Sequence, residues 1–177
     1  LVGRNLLLTF DDGFASNRVI AEEVLKPLDI TALFFVITDF VSIENPAEAR
    51  SFISKHIYPG VKSEDLPAHW VNMDWNDLAA LVRLGHSIGS HTKTHARLSQ
   101  LTDEELGDQI IGSANEISVR LGTKVDHFAY TFGDVASFSR RAMSIARQRY
   151  KYIYSGLRGD NAKSLLSHSI RRDASAV

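Results

Sequence analysis

Three side chains from two stretches of the 177-residue chain could share one divalent cation: Asp12 in Thr9-Phe10-Asp11-Asp12-Gly13, and His91 and His95 in Ser90-His91-Thr92-Lys93-Thr94-His95. One carboxylate with two imidazoles is a facial set that leaves coordination positions open to water and substrate, as a catalytic metal site requires and a structural one does not. The i, i+4 spacing of His91 and His95 predicts both rings on one face of a helical turn, close enough to share an ion. Asp11 and Asp12 stand where a strand ends, so their side chains diverge: one can bind the cation while the other faces the water that the cation acidifies. In that arrangement Asp11 is the candidate general base. Taken singly, Asp-Asp-Gly also fits a surface turn, and a His pair at this spacing also fits a structural role.

These residues need elements to bring them together, and the apolar pattern supplies them. Residues 5–10 are a short apolar run that ends on the acidic pair, and 16–25 follow with helical spacing until Pro27 stops them. Residues 31–38 (TALFFVIT) are β-branched and aromatic without alternation, as expected of a parallel strand covered on both faces. The pattern is weak over 39–72, where a helix over 46–54 precedes a stretch punctuated by Pro59, Gly60 and Pro67, so this part is expected to be a long loop or insertion. Its Tyr58, His69 and Trp70 could form a rim that stacks on rings, or pack inward. A helix over 74–84 ends at Gly85, and a short strand over 86–89 runs into His91. A Thr102-x-x-Glu105 capping box opens the clearest helix, which Gly122 closes. Beyond it come a strand over 127–132, a helix over 138–148, and strands over 152–155 and 165–170. Strands alternating with helices over short connections predict an α/β fold with a parallel sheet, in one domain spanning 1–177. The acidic pair, the His motif and the Gly133 turn each follow a predicted strand, the edge where α/β barrels carry their catalytic groups.

Composition narrows the partners. Twenty Lys and Arg against twenty-one Asp and Glu give a formal charge of −1, so no nucleic-acid or anionic-membrane surface is expected. The longest apolar runs are far too short to span a bilayer, so no transmembrane segment is expected in this chain. The absence of cysteine removes disulfides, thiolate ligands and thiol nucleophiles. The chain opens at Leu1 with no basic, apolar leader, which reads as a trimmed piece of something longer. Oligomeric state is not legible.

The two motifs, in their order and separation, resemble those of the NodB-homology polysaccharide deacetylases, carbohydrate esterase family four. The resemblance implies a distorted (β/α) barrel with fewer than eight strands. It implies Asp11 as catalytic base, and Asp12, His91 and His95 as ligands of a divalent metal, zinc first, with cobalt, manganese or nickel as alternatives. Phe128-Ala129-Tyr130-Thr131-Phe132-Gly133 is similar to the family's third motif, although Thr131 stands where Pro is common and Ala129 where other members carry an Arg that steadies the base. There the backbone N–H near Phe132 would help hold an oxyanion, with Tyr130 and Asp134 beside the substrate. An Asp-x-x-Asp-Trp segment is missing, and Trp75 is expected in the core. His168 could be the late histidine that protonates the leaving amine, while Ile170-Arg171-Arg172-Asp173 resembles the end of members that lack it. The implied activity is hydrolysis of N-acetyl groups from an amino-sugar polysaccharide or oligosaccharide without a covalent intermediate. O-acetyl xylan esterase, small-amide hydrolase and carbohydrate-binding module without turnover are the alternatives. An extracytoplasmic location follows by family analogy only. His56, His69, His86 and His127 have no partner at ligand spacing and are expected to be structural.

Overall fold

The structure, a computed structural model, describes residues 6–159, 161 and 169–173. Five parallel strands, β1 (Thr9–Phe10), β2 (Leu33–Val36), β3 (Ser87–Ser90), β4 (His127–Ala129) and β5 (Tyr152–Tyr154), lie in the order β1-β2-β3-β4-β5. Each pairs with its predecessor in register, for example Phe34 with Ile88 and Phe128 with Ile153. The sheet curls into a half-barrel with helices around it, the distorted (β/α) barrel of fewer than eight strands that was expected. Past β5, Ile170 bridges Tyr154 in parallel, and the Ser155 N–H donates to the Ile170 carbonyl at 2.9 Å. Residues 162–168, most of the last predicted strand, fall outside the described residues.

Strand β2 shows why its sequence does not alternate. All of its residues are buried, but they feed two cores. Phe34 and Val36 join the main core between sheet and helices, with Leu78, Leu81, Ile110, Ile117 and Phe128. Leu33 and Phe35 face the barrel interior, with Ala129 and Tyr154. Each such side chain, fully buried, is worth about 1.5–3 kcal/mol. The Phe35 ring lies across β3 at Gly89, where an added Cβ would stand 2.7 Å from it.

The connections carry α1 (Ala15–Ile20), α2 (Thr38–Val41), α3 (Pro46–Phe52), α4 (Trp75–Arg83), α5 (Asp103–Gly107), α6 (Ser113–Leu121) and α7 (Arg140–Arg149). Wider π turns extend α1 to Leu25 and α3 to Ile57, and another joins α5 to α6. The expected capping box is present: Thr102 Oγ1 accepts from the Glu105 N–H while Glu105 accepts from the Thr102 N–H. Gly122 ends α6 in the left-handed conformation. Residues 44–72 are more ordered than their weak pattern suggests. They fold over a core of their own, in which Ile37, Phe40, Ala49, Ile53, Ile57 and Leu66 are buried. Its rings run in a chain, Phe52 on Phe40, Phe40 on Phe14, Phe14 on Trp70 and Trp70 on Tyr58, with centroids 5.0–5.7 Å apart. Trp75, expected in the core, opens α4 half-buried, and its Nε1 donates to Ser42 Oγ at 3.0 Å.

Candidate metal centre and active site

Strand β1 ends at Phe10, just before Asp11, and Asp12 takes a left-handed backbone (φ 72°) that turns the chain. The turn is held on both sides: the Gly13 N–H donates to the Asp11 carbonyl at 3.0 Å, and the Ile37 N–H to the Asp12 carbonyl at 3.2 Å. Strand β3 delivers His91, whose N–H donates to the Val36 carbonyl at 2.9 Å. The predicted helical turn from His91 to His95 does not form. Thr92 (φ 71°) and His95 (φ 58°) are both left-handed, and the segment is a loop. Two side chains fix that loop in place of a helical ladder. Thr92 Oγ1 accepts from the His95 N–H at 3.0 Å, and Gln109 Oε1 accepts from the Lys93 N–H, the Thr94 N–H and the Thr94 hydroxyl at 3.0–3.2 Å.

The loop brings the rings together even so. Asp12 Oδ1 lies 3.5 Å from His91 Nε2 and 3.6 Å from His95 Nε2. Ligand atoms of a tetrahedral ion at ordinary Zn–N and Zn–O lengths stand about 3.4 Å apart, so the spacing suits one cation. The tautomers suit it too. His91 Nδ1 lies 2.8 Å from the Ala129 carbonyl and His95 Nδ1 2.8 Å from the His56 carbonyl. A carbonyl only accepts, so both protons sit on Nδ1 and both Nε2 lone pairs are free to bind. Asp12 Oδ1 is buried without a hydrogen-bond partner among the described residues, a costly state unless a cation satisfies it. Burial, then the charge of Asp11, raises the Asp12 carboxyl to about 7, with Arg172 opposing. Burial lowers His91, and burial with the neighbouring His91 pushes His95 down to about 3, so both imidazoles are neutral at neutral pH.

Asp11 is held differently. Arg172 Nη1 donates to its Oδ1 at 2.7 Å and Nη2 to its Oδ2 at 2.9 Å. The guanidinium is itself fixed: Nε donates to the Ser155 carbonyl at 3.2 Å, Nη1 to Thr9 Oγ1 at 3.2 Å, and its carbon lies 5.1 Å from the Phe35 ring centre. Burial alone would raise the Asp11 carboxyl, but His91 and the charge and hydrogen bonds of Arg172 outweigh it and hold the group below the usual carboxylate range. Spacing singled out Asp11 but gave Arg172 no role. The available signal was the missing Arg at position 129, which left a buried base without a cation.

The third motif closes the site from β4. Phe132 (φ 61°) and Gly133 (φ 67°) form a left-handed turn packed on Gly156, where a Cβ on Gly133 would meet the Gly156 nitrogen at 2.5 Å. Among the described residues the Phe132 N–H has no hydrogen-bond partner. Its ring centre lies 4.6 Å from that of His95 and 4.4 Å from the Arg97 guanidinium. The Tyr130 ring is buried against Phe128 and Phe138, so only its main chain can reach a substrate. Asp134 is exposed, caps the turn at 135–137 and pairs with Arg97 at 3.2 Å. An open cavity of about 550 Å³ has Asp11, Asp12, His91, His95, Phe132 and Tyr58 in its walls, and Asp134 is not among its lining residues. His168 lies outside the described residues. Two participants were not legible beforehand: the His56 carbonyl, which any residue could supply, and Gln109, one polar position on a long helix.

The chain's sequence and fold both have matches. The polysaccharide deacetylase family model matches residues 2–150. No protein of curated function matches the sequence. Among solved structures, the deacetylase PplD of Streptococcus pyogenes in complex with acetate superposes with a TM-score of 0.71 at 22% identity, over 97% of this chain and 65% of that one. IcaB from Ammonifex degensii gives 0.67 at 22% identity, over 89% of this chain and 62% of that one. The BpsB deacetylase domain from Bordetella bronchiseptica gives 0.75 at 19% identity, over 97% and 71%. The chain thus spans just under two thirds of the length of the first two, and at these identities the likeness is one of fold.

Proposed function

The chain belongs to the polysaccharide deacetylase family, and we propose that it hydrolyses N-acetyl groups of an amino-sugar polysaccharide or oligosaccharide, with a divalent metal, zinc first, releasing acetate. The observation that carries this reading is Asp12 Oδ1, buried with no hydrogen-bond partner among the described residues and 3.5–3.6 Å from two imidazole Nε2 atoms, with a second, arginine-held carboxylate beside it. Asp12, His91 and His95 would hold the cation, which supplies Lewis-acid polarisation of the acetamide carbonyl and acidifies water.

The protein's residues do the rest. Asp11, kept ionised and fixed in orientation by Arg172, takes the proton of the attacking water. The Phe132 N–H, without a partner among the described residues, can donate to the oxygen of the tetrahedral intermediate. His91 and His95 are locked by the Ala129 and His56 carbonyls, so neither ring reorients as charge develops. His168 is the candidate to protonate the departing amine.

The test is acetate release from an N-acetylglucosamine oligomer by the zinc-loaded protein. Asp11→Asn is expected to reduce release at least 10²-fold, within the usual contribution of a general base, while zinc still binds. Full activity in Asp11→Asn would remove the base from this assignment. Loss of zinc binding in Asp12→Asn but not in Asp11→Asn would separate ligand from base.

A further inference from the structure

The cavity over the metal set has four aromatic residues in its walls: Phe10, Tyr58, Tyr130 and Phe132. Three are spoken for. Phe10 is stacked on Phe34 at 4.9 Å, Tyr130 is buried against Phe138 at 4.4 Å, and Phe132, although 38% exposed, has the Arg97 guanidinium 4.4 Å and the His95 ring 4.6 Å from its ring centre. Tyr58 differs. It is 41% exposed, its only ring partner among the described residues is Trp70 at 5.0 Å, and its hydroxyl has no hydrogen-bond partner among them. Trp70 therefore backs the ring, while Tyr58 stands half-exposed in the cavity wall.

The backing is stiff. Trp70 rests on Phe14, which continues the ring chain through Phe40 and Phe52, and the Tyr58 N–H is tied to the Ile53 carbonyl at 2.8 Å. Two residues before Tyr58, the His56 carbonyl holds His95. The ring is thus built into the same segment that orients a metal ligand. A rigid, half-exposed aromatic with a free hydroxyl loses little entropy on binding, and it offers an apolar face and a polar edge together. The axial C–H face and equatorial hydroxyls of a pyranose present the matching pattern.

We propose that Tyr58, backed by Trp70, is a sugar-binding platform that stacks on a pyranose unit adjacent to the one whose acetamide faces Asp12, so that residues 44–72 set the preference for oligomers over small acetylated compounds. This rests on the deacetylase reading above and names a specificity residue for it.

The test compares chitotetraose with 4-nitrophenyl acetate, which needs the metal set but no neighbouring sugar, in the zinc-loaded protein. The ratio of kcat/KM for the oligomer to that for the ester is expected to fall roughly tenfold in Tyr58→Ala, mainly through the KM for the oligomer, as for a lost stacking contact. Tyr58→Phe is expected to keep most of that ratio. An unchanged ratio in Tyr58→Ala overturns the platform, and so does an equal fall for both substrates, which would mean that the wall merely supports His95. If wild type releases acetate from neither substrate, the deacetylase reading fails separately, and the platform is read by binding. Quenching of tryptophan fluorescence by chitotetraose in wild type and its loss in Tyr58→Ala would support the platform, while identical titrations or none would sink it.

Discussion

Arg172 grips Asp11 with both terminal nitrogens, at 2.7 and 2.9 Å, across most of the length of the chain. The pair joins the end of the first strand to the segment after the last, so the base is oriented only once the sheet is assembled. Such a bidentate fork fixes direction as well as charge.

Arg172→Met should therefore lower kcat/KM by roughly 10²-fold, the scale of a general base out of place. It should also move the acidic limb of the pH profile. Burial raises Asp11, while His91 and Arg172 lower it. His91 is neutral at neutral pH, so Arg172 is the standing cation. Without Arg172 less opposes burial, so Asp11 takes up its proton at a higher pH, and activity is lost at a higher pH than in wild type. A limb that moves downward or stays fixed would deny Arg172 this role.

Metal binding should carry a one-proton signature. Asp12 titrates at about 7 in the free protein, raised by burial and by Asp11. Burial and the neighbouring His91 push His95 down to about 3, and burial lowers His91 below its ordinary value, so near neutral pH the proton to be displaced is that of Asp12. Zinc affinity should then fall about tenfold per pH unit below about 7 and level off above it, because binding must displace a single proton. Calorimetric titrations from pH 5.5 to 8 measure this, and a slope of two would show that an imidazole takes part.

Gln109→Ala leaves Lys93 and Thr94 without their shared acceptor. The loop between the two histidines then keeps the Lys93–Asp108 ion pair but loses its main-chain tie to the long helix. Zinc affinity should fall roughly 10-fold or more, as for other groups that orient ligands, with little change in thermal stability. A large drop in Tm with unchanged affinity would assign Gln109 to folding alone.

Gly133→Ala should cost about 2 kcal/mol or more in urea unfolding, because a Cβ there meets the Gly156 backbone at 2.5 Å in a left-handed turn. Activity should fall as well, since the Phe132 N–H is carried on the same turn.

Much of this was legible beforehand. The unalternating run 31–38 reads as a strand buried on both sides, and its centre, Leu33–Val36, is one; Asp12, His91 and His95 converge. Spacing failed where local periodicity was taken for helix. The i, i+4 relation of His91 and His95 arises here from a loop with left-handed Thr92 and His95, because hydrogen bonds from Thr92 and Gln109 replace the helical ladder. The roles of Arg172 and the His56 carbonyl were beyond a one-dimensional reading. One depends on where the last segment returns to the sheet, the other on a main-chain atom that carries no residue signature. Residues 44–72 looked loop-like because their apolar side chains serve a small separate core rather than one face of a helix.

The bond from His95 to the His56 carbonyl has a consequence for protein engineering. Recognition loops are commonly treated as modules, to be exchanged between relatives for a new preference. Here the module that walls the cavity also sets the aim of His95, one of the proposed metal ligands. A grafted segment of different length would have to return a carbonyl to the same place, or the transplant would give up its metal along with its old substrate. Changes of preference in this scaffold are therefore better sought by replacing Tyr58 in place than by swapping the segment that carries it.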